Sequence, residues 1–275
     1  AVRGELVMKA EQLAAAGRNI IYTNIGNPHA VGQTPVTYYR QVLALCDLPA
    51  QVGVDNPNVS QLFPGDVIER ARELRGLIGS GGTGSYTHSQ GISGVRKHVA
   101  DFIEARDGHP AYAGDIFLTN GASSAIEFIL EGLIGSDHDA IMIPIPQYPI
   151  YSALITRLGG HKIGYYLDEK KGWGVSRAEL HNRLDEAKRR DLTVKGLALI
   201  NPGNPTGQVM SKRDLGILCR FCSDNDIVLL ADEVYQRNIY EGEFTSAKKV
   251  ALETPGCSNL ELVSFHSTSK GLIGE

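Results

Sequence analysis

Six short runs of apolar residues recur from residue 116 onward, and amphipathic segments separate them. Several runs are apolar at successive positions rather than at alternate ones, which is typical of strands covered on both faces. Helix-like segments between such strands favour βαβ units and a mainly parallel sheet. The predicted strands are 116–119, 140–143, 162–166, 196–200, 227–231 and 260–265, and the predicted helices are 66–78, 91–106, 122–134, 148–158, 176–190 and 211–225.

The first 64 residues show a different pattern, rich in turn formers such as Gly26-Asn27-Pro28 and Asp55-Asn56-Pro57. One short helix at 37–45 interrupts this irregular stretch. We therefore predict an N-terminal arm and part of a small domain over residues 1–64. Residues 65–275 are predicted to form a large α/β domain, a three-layer sandwich around a mainly parallel sheet.

The composition is ordinary for a globular protein, with 42% hydrophobic and 21% charged residues. A formal net charge of −4 gives no indication of a nucleic-acid or membrane partner. No apolar run approaches the roughly 18 residues that span a bilayer. Four cysteines do not make a disulfide framework, so we expect a reducing compartment. The cytoplasm is the expected location, with the mitochondrion or peroxisome as alternatives.

A metal site is not expected from this sequence. Cys219 and Cys222 form a Cys-x-x-Cys pair, but they lie within a predicted helix, and Cys46 and Cys257 do not form a second pair. The eight histidines show no metal-ligand spacing.

Ligands of parallel sheets bind beyond the carboxyl ends of the strands, so the residues that follow each strand are the candidates. Gly121, Ala122 and Ser123 lie between a predicted strand and a helix, where open backbone N–H groups suit a phosphate. An ordinary helix cap is the competing interpretation. Tyr148 follows the strand at 140–143 and could stack on a flat heterocycle, or simply pack in a proline-rich turn.

Three further strand ends carry polar side chains. Asn204 lies in the rigid loop Asn-Pro-Gly-Asn-Pro-Thr-Gly at 201–207. Asp232 and Tyr235 follow the strand at 227–231; a buried carboxylate there needs a cation or hydrogen bonds, unless it merely caps the next segment. Lys270 follows the last strand, where a crowded, partly dry site would make it a nucleophile and base, although a lone lysine is usually a solvated surface charge.

Together these motifs resemble the class I/II aminotransferases, which are fold type I pyridoxal-phosphate enzymes, in the family's order from Asn24 to Lys270. Asn-Pro-x-Asn-Pro-Thr-Gly at 201–207, Asp-x-x-Tyr at 232–235 and Ser-x-Ser-Lys at 267–270 are specific in combination. The segments 24–29, 144–149 and 264–271 resemble the alanine aminotransferase branch. The resemblance implies a fold type I large domain, a pyridoxal 5'-phosphate cofactor and a homodimer.

The resemblance also implies a role for each matching residue. Lys270 would form the Schiff base with the cofactor and move a proton between the substrate α-carbon and the cofactor C4′. Asp232 would keep the pyridine nitrogen protonated, which makes the ring an electron sink. Asn204 and Tyr235 would bind the phenolic oxygen, and Tyr148 would stack on the ring.

The phosphate and substrate contacts follow from the same resemblance. The phosphate would be held by Gly121, Ala122, Ser123 and Ser267, and by Tyr86 from the partner subunit. Gly26 would lie near the substrate carboxylate.

One departure from the family concerns the end of the chain. The family places a phosphate-binding arginine beyond its lysine, at a position past the last residue here, followed by a further strand and a small domain that binds the substrate α-carboxylate. We therefore expect a fragment whose large domain is incomplete at the C-terminus, and which alone is poorly folded or inactive.

The implied activity is transamination, with alanine and 2-oxoglutarate giving pyruvate and glutamate. Glutamate–glyoxylate exchange is a close alternative, because substrate choice depends on side chains that this chain mostly lacks. The same cofactor site could instead support an elimination such as the one that forms aminocyclopropane carboxylate. The non-enzymatic alternative is the aminotransferase-like effector domain of a transcription regulator.

Overall fold

The computed structural model describes residues 4–22, 26, 28–271 and 273–274. Its helices are α1 (Glu5–Ala15), α2 (Tyr38–Asp47), α3 (Gly65–Ile78), α4 (Ser93–Asp107), α5 (Gly121–Leu133), α6 (Ile150–Arg157), α7 (Arg177–Arg189), α8 (Lys212–Asp224) and α9 (Ala247–Glu253). Its strands are β1 (Asp139–Ile145), β2 (His161–Tyr166), β3 (Thr193–Ile200), β4 (Val228–Asp232) and β5 (Leu262–Phe265).

The described residues divide into two compact units. Unit 1 contains the described residues up to Val31 together with those from Asn120 onward, and unit 2 contains Gly32–Thr119. These limits differ from the predicted boundary between residues 64 and 65. The reason is that α2, on one side of that boundary, shares a hydrophobic core with α3 on the other. The assignment of residues 1–64 to an arm and a small domain stays a prediction.

The sheet of unit 1 has the strand order β2-β1-β3-β4-β5, and each neighbouring pair is parallel. Successive residues of β1 point to opposite faces. Ala140 and Met142 belong to the core formed with α7, α8 and α9, whereas Ile141 and Ile143 belong to the core formed with α5 and α6. Both faces are therefore covered, and the predicted three-layer α/β architecture is confirmed.

Residues 116–119 are not a strand, although the sequence predicted one. Leu118 donates its backbone N–H to the Gln90 carbonyl at 2.9 Å, but no ladder with a neighbouring strand follows. The Leu118 side chain instead packs on Gly91, where an added Cβ would lie 2.7 Å from it. This contact inside unit 2 accounts for the apolar character of Leu118, whereas Phe117 in the same run is exposed.

Helix α9 was absent from the prediction because its seven residues are too short to show a clear apolar period. Its N-terminus carries a signal that was overlooked. Ser246 is the N-cap, and its Oγ accepts a hydrogen bond from the Lys249 N–H at 3.0 Å.

In unit 2, an arginine fixes the end of one helix against another. Arg75 of α3 donates to the carbonyls of Cys46 and Leu48 at 2.8 and 2.7 Å, which supplies donors to the last turn of α2. Leu45 and Ala71 are fully buried in the core between the two helices.

Among the described residues, none of the helices has the length and apolarity required to cross a bilayer. Nor do their His, Cys, Asp and Glu side chains gather in a set of three or more that could bind a metal ion. Cys219 and Cys222 are buried free thiols of α8, and burial raises the pKa of Cys219 to about 12.

Candidate active site

A cavity of about 700 Å³ lies in unit 1, beyond the carboxyl ends of the parallel strands. This is the position expected of ligand sites in open α/β sheets. The predicted site residues that line it are Gly26, Gly121, Ala122, Ser123, Tyr148, Asn204, Asp232, Tyr235, Ser267 and Lys270. Tyr86 belongs to unit 2 and is fully exposed there. Asn24, Ile25 and Asn27, which flank Gly26 in its motif, lie outside the described residues.

Asp232 is the last residue of β4 and is 5% exposed. Its Oδ2 accepts a hydrogen bond from the Tyr151 hydroxyl at 3.1 Å, and its Oδ1 accepts one from the Val234 N–H at 3.4 Å. Burial raises the pKa of Asp232 to about 6, while these two bonds and the charge of Lys270 oppose the rise. The two hydrogen bonds fix the position of the carboxylate but offset only part of the desolvation cost of its negative charge. A cationic N–H group beside it would therefore be stabilised.

Tyr151 is a residue that the sequence reasoning did not identify. It lies on α6 and is completely buried, and burial together with the neighbouring Asp232 charge raises its pKa well above the ordinary value. The hydroxyl therefore remains a donor to Asp232. Its sequence signal was present, because Tyr151 follows Tyr148 by three residues in the predicted helix 148–158, but it looked like an ordinary apolar position.

Lys270 follows β5 in the segment after Phe265, and its side chain is exposed rather than enclosed in a crowded, partly dry site. The prediction of an enclosed lysine is thus wrong for this structure. The preceding strand, β5, pairs with β4 in the described sheet. Lys270 Nζ lies 5.6 Å from the centroid of the Tyr235 ring.

The backbone around Lys270 is held by local hydrogen bonds. The hydroxyls of Ser267 and Ser269 lie 2.7 Å apart, and Ser267 Oγ also accepts the Ser269 N–H at 3.2 Å. The Gly271 N–H donates to Asn238 Oδ1 at 2.9 Å. These hydrogen bonds fix the position of the Lys270 backbone.

Tyr235 is partly buried beside this lysine. Burial is the main cause that raises the pKa of its hydroxyl, and the charges of Asp232 and Tyr148 raise it further. Tyr235 is therefore a protonated donor at neutral pH. Tyr148, at the other side of the cavity lining, has 36% of its surface exposed, so its ring remains accessible to a ligand.

The two asparagines of the 201–207 loop have different surroundings. Asn201 is fully buried: its N–H donates to the Asp232 carbonyl at 2.9 Å, and its Oδ1 accepts the Met210 N–H at 2.9 Å. These bonds join the loop to β4 and to the segment before α8. Asn204 is only partly buried and lines the cavity. Asn201 thus anchors the loop, and Asn204 is the one available to a ligand.

The turn before α5 has the features of an anion site. Gly121 has a φ of +79°, in the left-handed region that favours glycine. Asn120 occupies the N-cap position without a side-chain capping bond, and Ser124 Oγ donates to the Asn120 carbonyl at 3.1 Å. The competing interpretation, a cap supplied by Ser123, is therefore wrong. Ser123 lines the cavity instead.

Gln147 is a second cavity residue that the sequence reasoning missed. Its Oε1 atom is buried and has no hydrogen-bond partner among the described residues. An unsatisfied buried acceptor costs about 1–3 kcal/mol. This orphaned atom in the lining indicates a cavity suited to a ligand with polar groups.

Comparisons with known proteins agree with this geometry. The family model described as "Aminotransferase class I and II" matches residues 55–274. Over its full length the chain is 49% identical to glutamate–glyoxylate aminotransferase 1 of Arabidopsis thaliana and 43% identical to human alanine aminotransferase 1, covering 57% of each. It is 48% identical to the mitochondrial alanine aminotransferase 1 of Arabidopsis thaliana, covering 52% of that protein.

Solved structures show the same fold. An aminotransferase from Escherichia coli superposes with a TM-score of 0.70 at 24% identity, over 98% of this chain and 55% of the other. The alanine aminotransferase of Pyrococcus furiosus gives 0.65 at 22% identity, over 89% and 52%. The chain spans about half the length of the curated relatives it matches. On the family model and these identities, the chain belongs to the class I and II aminotransferases.

Proposed function

We propose that the protein carrying this chain is a pyridoxal-phosphate-dependent aminotransferase. The observation that carries the proposal is the buried carboxylate of Asp232, which two hydrogen bonds hold at the end of β4 in the same cavity as Lys270. A carboxylate whose pKa is raised to about 6 gains stability from a cationic ring N–H. A nearby amine supplies the group that reacts with an aldehyde.

The cavity fits the cofactor in size and in the chemistry of its lining. Its volume of about 700 Å³ lies within the usual range for small-molecule sites, roughly 300–1,000 Å³. The α5 N-terminus at Gly121 suits a phosphate, the Tyr148 ring suits a flat heterocycle, and the unpartnered Gln147 oxygen suits a polar ligand. When bound, the cofactor supplies an electron sink for the bond broken at the substrate α-carbon.

The chain's own residues then have distinct tasks in our proposal. Lys270 would hold the cofactor covalently and would move the proton at the substrate α-carbon. Asp232, held by Tyr151, keeps the ring nitrogen protonated. Tyr235 and Asn204 donate to the phenolic oxygen, which holds the ring in one orientation. Gly121, Ala122, Ser123 and Ser267 hold the phosphate.

We also propose that the intact protein is a homodimer in which Tyr86 reaches the phosphate site of the partner subunit. Its full exposure within unit 2 leaves its ring accessible for such a contact. Gly26, in the lining of the large cavity, is proposed to lie near the substrate carboxylate.

Two substrate pairs are proposed, because the relatives named for each have nearly equal identity to this chain, 49% and 48%. The first is alanine with 2-oxoglutarate. The second is glutamate with glyoxylate.

The test uses the intact natural protein loaded with pyridoxal phosphate. Alanine or glutamate is added without an oxo acid, and the absorbance of the bound cofactor is followed; the oxo acids are then added in turn. We expect one amino acid to convert the cofactor and its partner oxo acid to restore it. Lys270→Arg is expected to lower the rate by at least about 100-fold, whereas Lys188→Arg, an exposed control on α7, keeps it. Cofactor binding without conversion would support the regulator alternative, and an elimination product would support the other enzyme class.

A further inference from the structure

A second, smaller cavity of about 270 Å³ lies in unit 1 on the side of α7 and α8. It shares no lining residue with the large cavity. Three of its lining side chains are arginines: Arg177 at the start of α7, and Arg213 and Arg220 on α8. Neither the family motifs nor the proposed chemistry uses any of them.

Gly216 makes the space between the two arginines of α8. Positions 213, 216 and 220 are three and four residues apart, so they lie along one face of the helix. A glycine inside a helix costs about 1 kcal/mol relative to alanine. An added Cβ at Gly216 would meet nothing closer than Thr254 Oγ1 at 3.8 Å, so close packing does not require the glycine. Its effect is to leave the floor of the cavity open.

Arg220 is held in place before any ligand binds. Its guanidinium donates a hydrogen bond to the Pro255 carbonyl. Gly256, with a φ of +79°, lies directly against it, since an added Cβ there would be 2.7 Å from Arg220 Nη1. A fixed guanidinium loses less conformational freedom when it binds an anion.

The other two arginines are available. Neither Arg177 nor Arg213 forms a hydrogen bond or ion pair with any described residue, in contrast to Arg183 of α7, which pairs with Glu179. Among the described residues that line the cavity, Asp224 is the carboxylate that faces these three cations. The local excess of positive charge is notable in a chain whose formal net charge is −4.

We propose that this cavity, here called the arginine cavity, binds the phosphate group of a small metabolite. Guanidinium groups bind phosphate oxygens in pairs of parallel hydrogen bonds, and three of them can engage several oxygens at once. A volume of about 270 Å³ suits a phosphate group rather than a complete cofactor.

The test measures binding to the intact natural protein after it has been loaded with pyridoxal phosphate and freed of excess, so that the large cavity is filled. Inorganic phosphate, pyrophosphate and glycerol 3-phosphate are titrated at constant ionic strength, with succinate as a dicarboxylate comparison. We expect Arg213→Gln and Arg177→Gln each to weaken the binding of pyrophosphate about tenfold. Arg189→Gln removes the same charge from α7 outside the cavity and is expected to leave binding within twofold.

Gly216→Ala distinguishes an effect on ligand binding from an effect on protein stability. It places a methyl group on the cavity floor and favours the helix, so we expect weaker binding together with equal or higher thermal stability. Binding of glycerol 3-phosphate but not free phosphate would identify an ester as the ligand, and equal binding of both would show that the phosphate group suffices. The proposal is overturned if no phosphate compound shows saturable binding, if succinate binds equally well, or if Arg213→Gln behaves like Arg189→Gln.

Discussion

Replacing Asp232 by asparagine is expected to stabilise the cofactor-free protein, even though it removes a group proposed to bind the cofactor. The carboxyl is 5% exposed, and its pKa is raised from 3.8 to about 6, chiefly by burial. A folded-state pKa above the unfolded value means that stability is greatest in acid and falls as the pH rises through about 6. At 1.36 kcal/mol per unit, a difference of about two units costs the folded protein about 3 kcal/mol at neutral pH.

The asparagine side chain avoids this cost because it is neutral at every pH and can still accept the hydrogen bond of Tyr151. The free energy of unfolding should be measured in urea at pH 5 and pH 7.5 for the cofactor-free intact natural protein and the Asp232→Asn variant. The advantage of the variant is expected to grow by roughly 1 kcal/mol between the two pH values and to approach about 3 kcal/mol at the higher one. Asp185→Asn, at an exposed position of α7, is the matched control and should show no such trend.

If Asp232→Asn shows no gain in unfolding free energy, or a gain that is the same at pH 5 and pH 7.5, the inference that burial penalises the charged form of Asp232 is refuted. Saturating pyridoxal phosphate provides a second check. The proposed ring N–H would stabilise the carboxylate, so the wild-type protein is then expected to become the more stable of the two. A variant that keeps its advantage with the cofactor bound would contradict the proposed role of Asp232.

Three further substitutions test separate parts of the structure. Tyr151→Phe removes a hydrogen bond that lowers the pKa of Asp232. The pKa of Asp232 is therefore expected to rise above 6 by about one unit or more, which NMR titration of the labelled carboxyl carbon would measure. Arg75→Met removes both donors to the last turn of α2 and is expected to lower the unfolding free energy by about 2 kcal/mol in urea. Leu130→Ala, at a fully buried position of α5, is expected to cost about 2–5 kcal/mol in the same assay.

Each of these variants has a matched control: Tyr240 and Leu252 are exposed, and Arg70 is a half-buried arginine of the same helix as Arg75. Tyr240→Phe should leave the Asp232 titration unchanged, and an unchanged titration in Tyr151→Phe itself would show that the hydroxyl does not act on the carboxylate. Leu252→Ala and Arg70→Met should cost less than about 1 kcal/mol. Losses as small as these for Leu130→Ala or Arg75→Met would argue against the packing and capping described above.

The central layer of the fold was predictable because parallel strands covered on both faces have an unusual sequence pattern. The run Ala140–Ile143 is apolar at every position, and the structure places alternate residues in two different cores. The run 116–119 has a similar composition but packs locally in unit 2 through Leu118 and Gly91. Periodicity cannot distinguish these cases, since strand pairing depends on a neighbour that is distant in sequence.

The candidate site was predictable where a residue lies at or soon after the carboxyl end of a strand, as Asp232 does at the end of β4 and Lys270 does after β5. Tyr151 and Gln147 were not, because their importance depends on what their polar atoms meet after folding. The Tyr151 hydroxyl donates a hydrogen bond to Asp232, 81 residues away in the chain, whereas the Gln147 oxygen has no hydrogen-bond partner among the described residues.

The edge position of β5 in the described sheet is expected to favour local opening of the chain near Lys270. Among the described residues this four-residue strand pairs with β4 alone and has one buried position, so it is expected to open more readily than the central strands. Such fraying would carry Lys270 away from Asp232 and Tyr235, and it would also remove Phe265 from the core formed with α5 and α6. Amide hydrogen exchange is therefore expected to be faster in β5 than in β3. A ligand that bridges the lysine to the cavity would then hold β5 against β4.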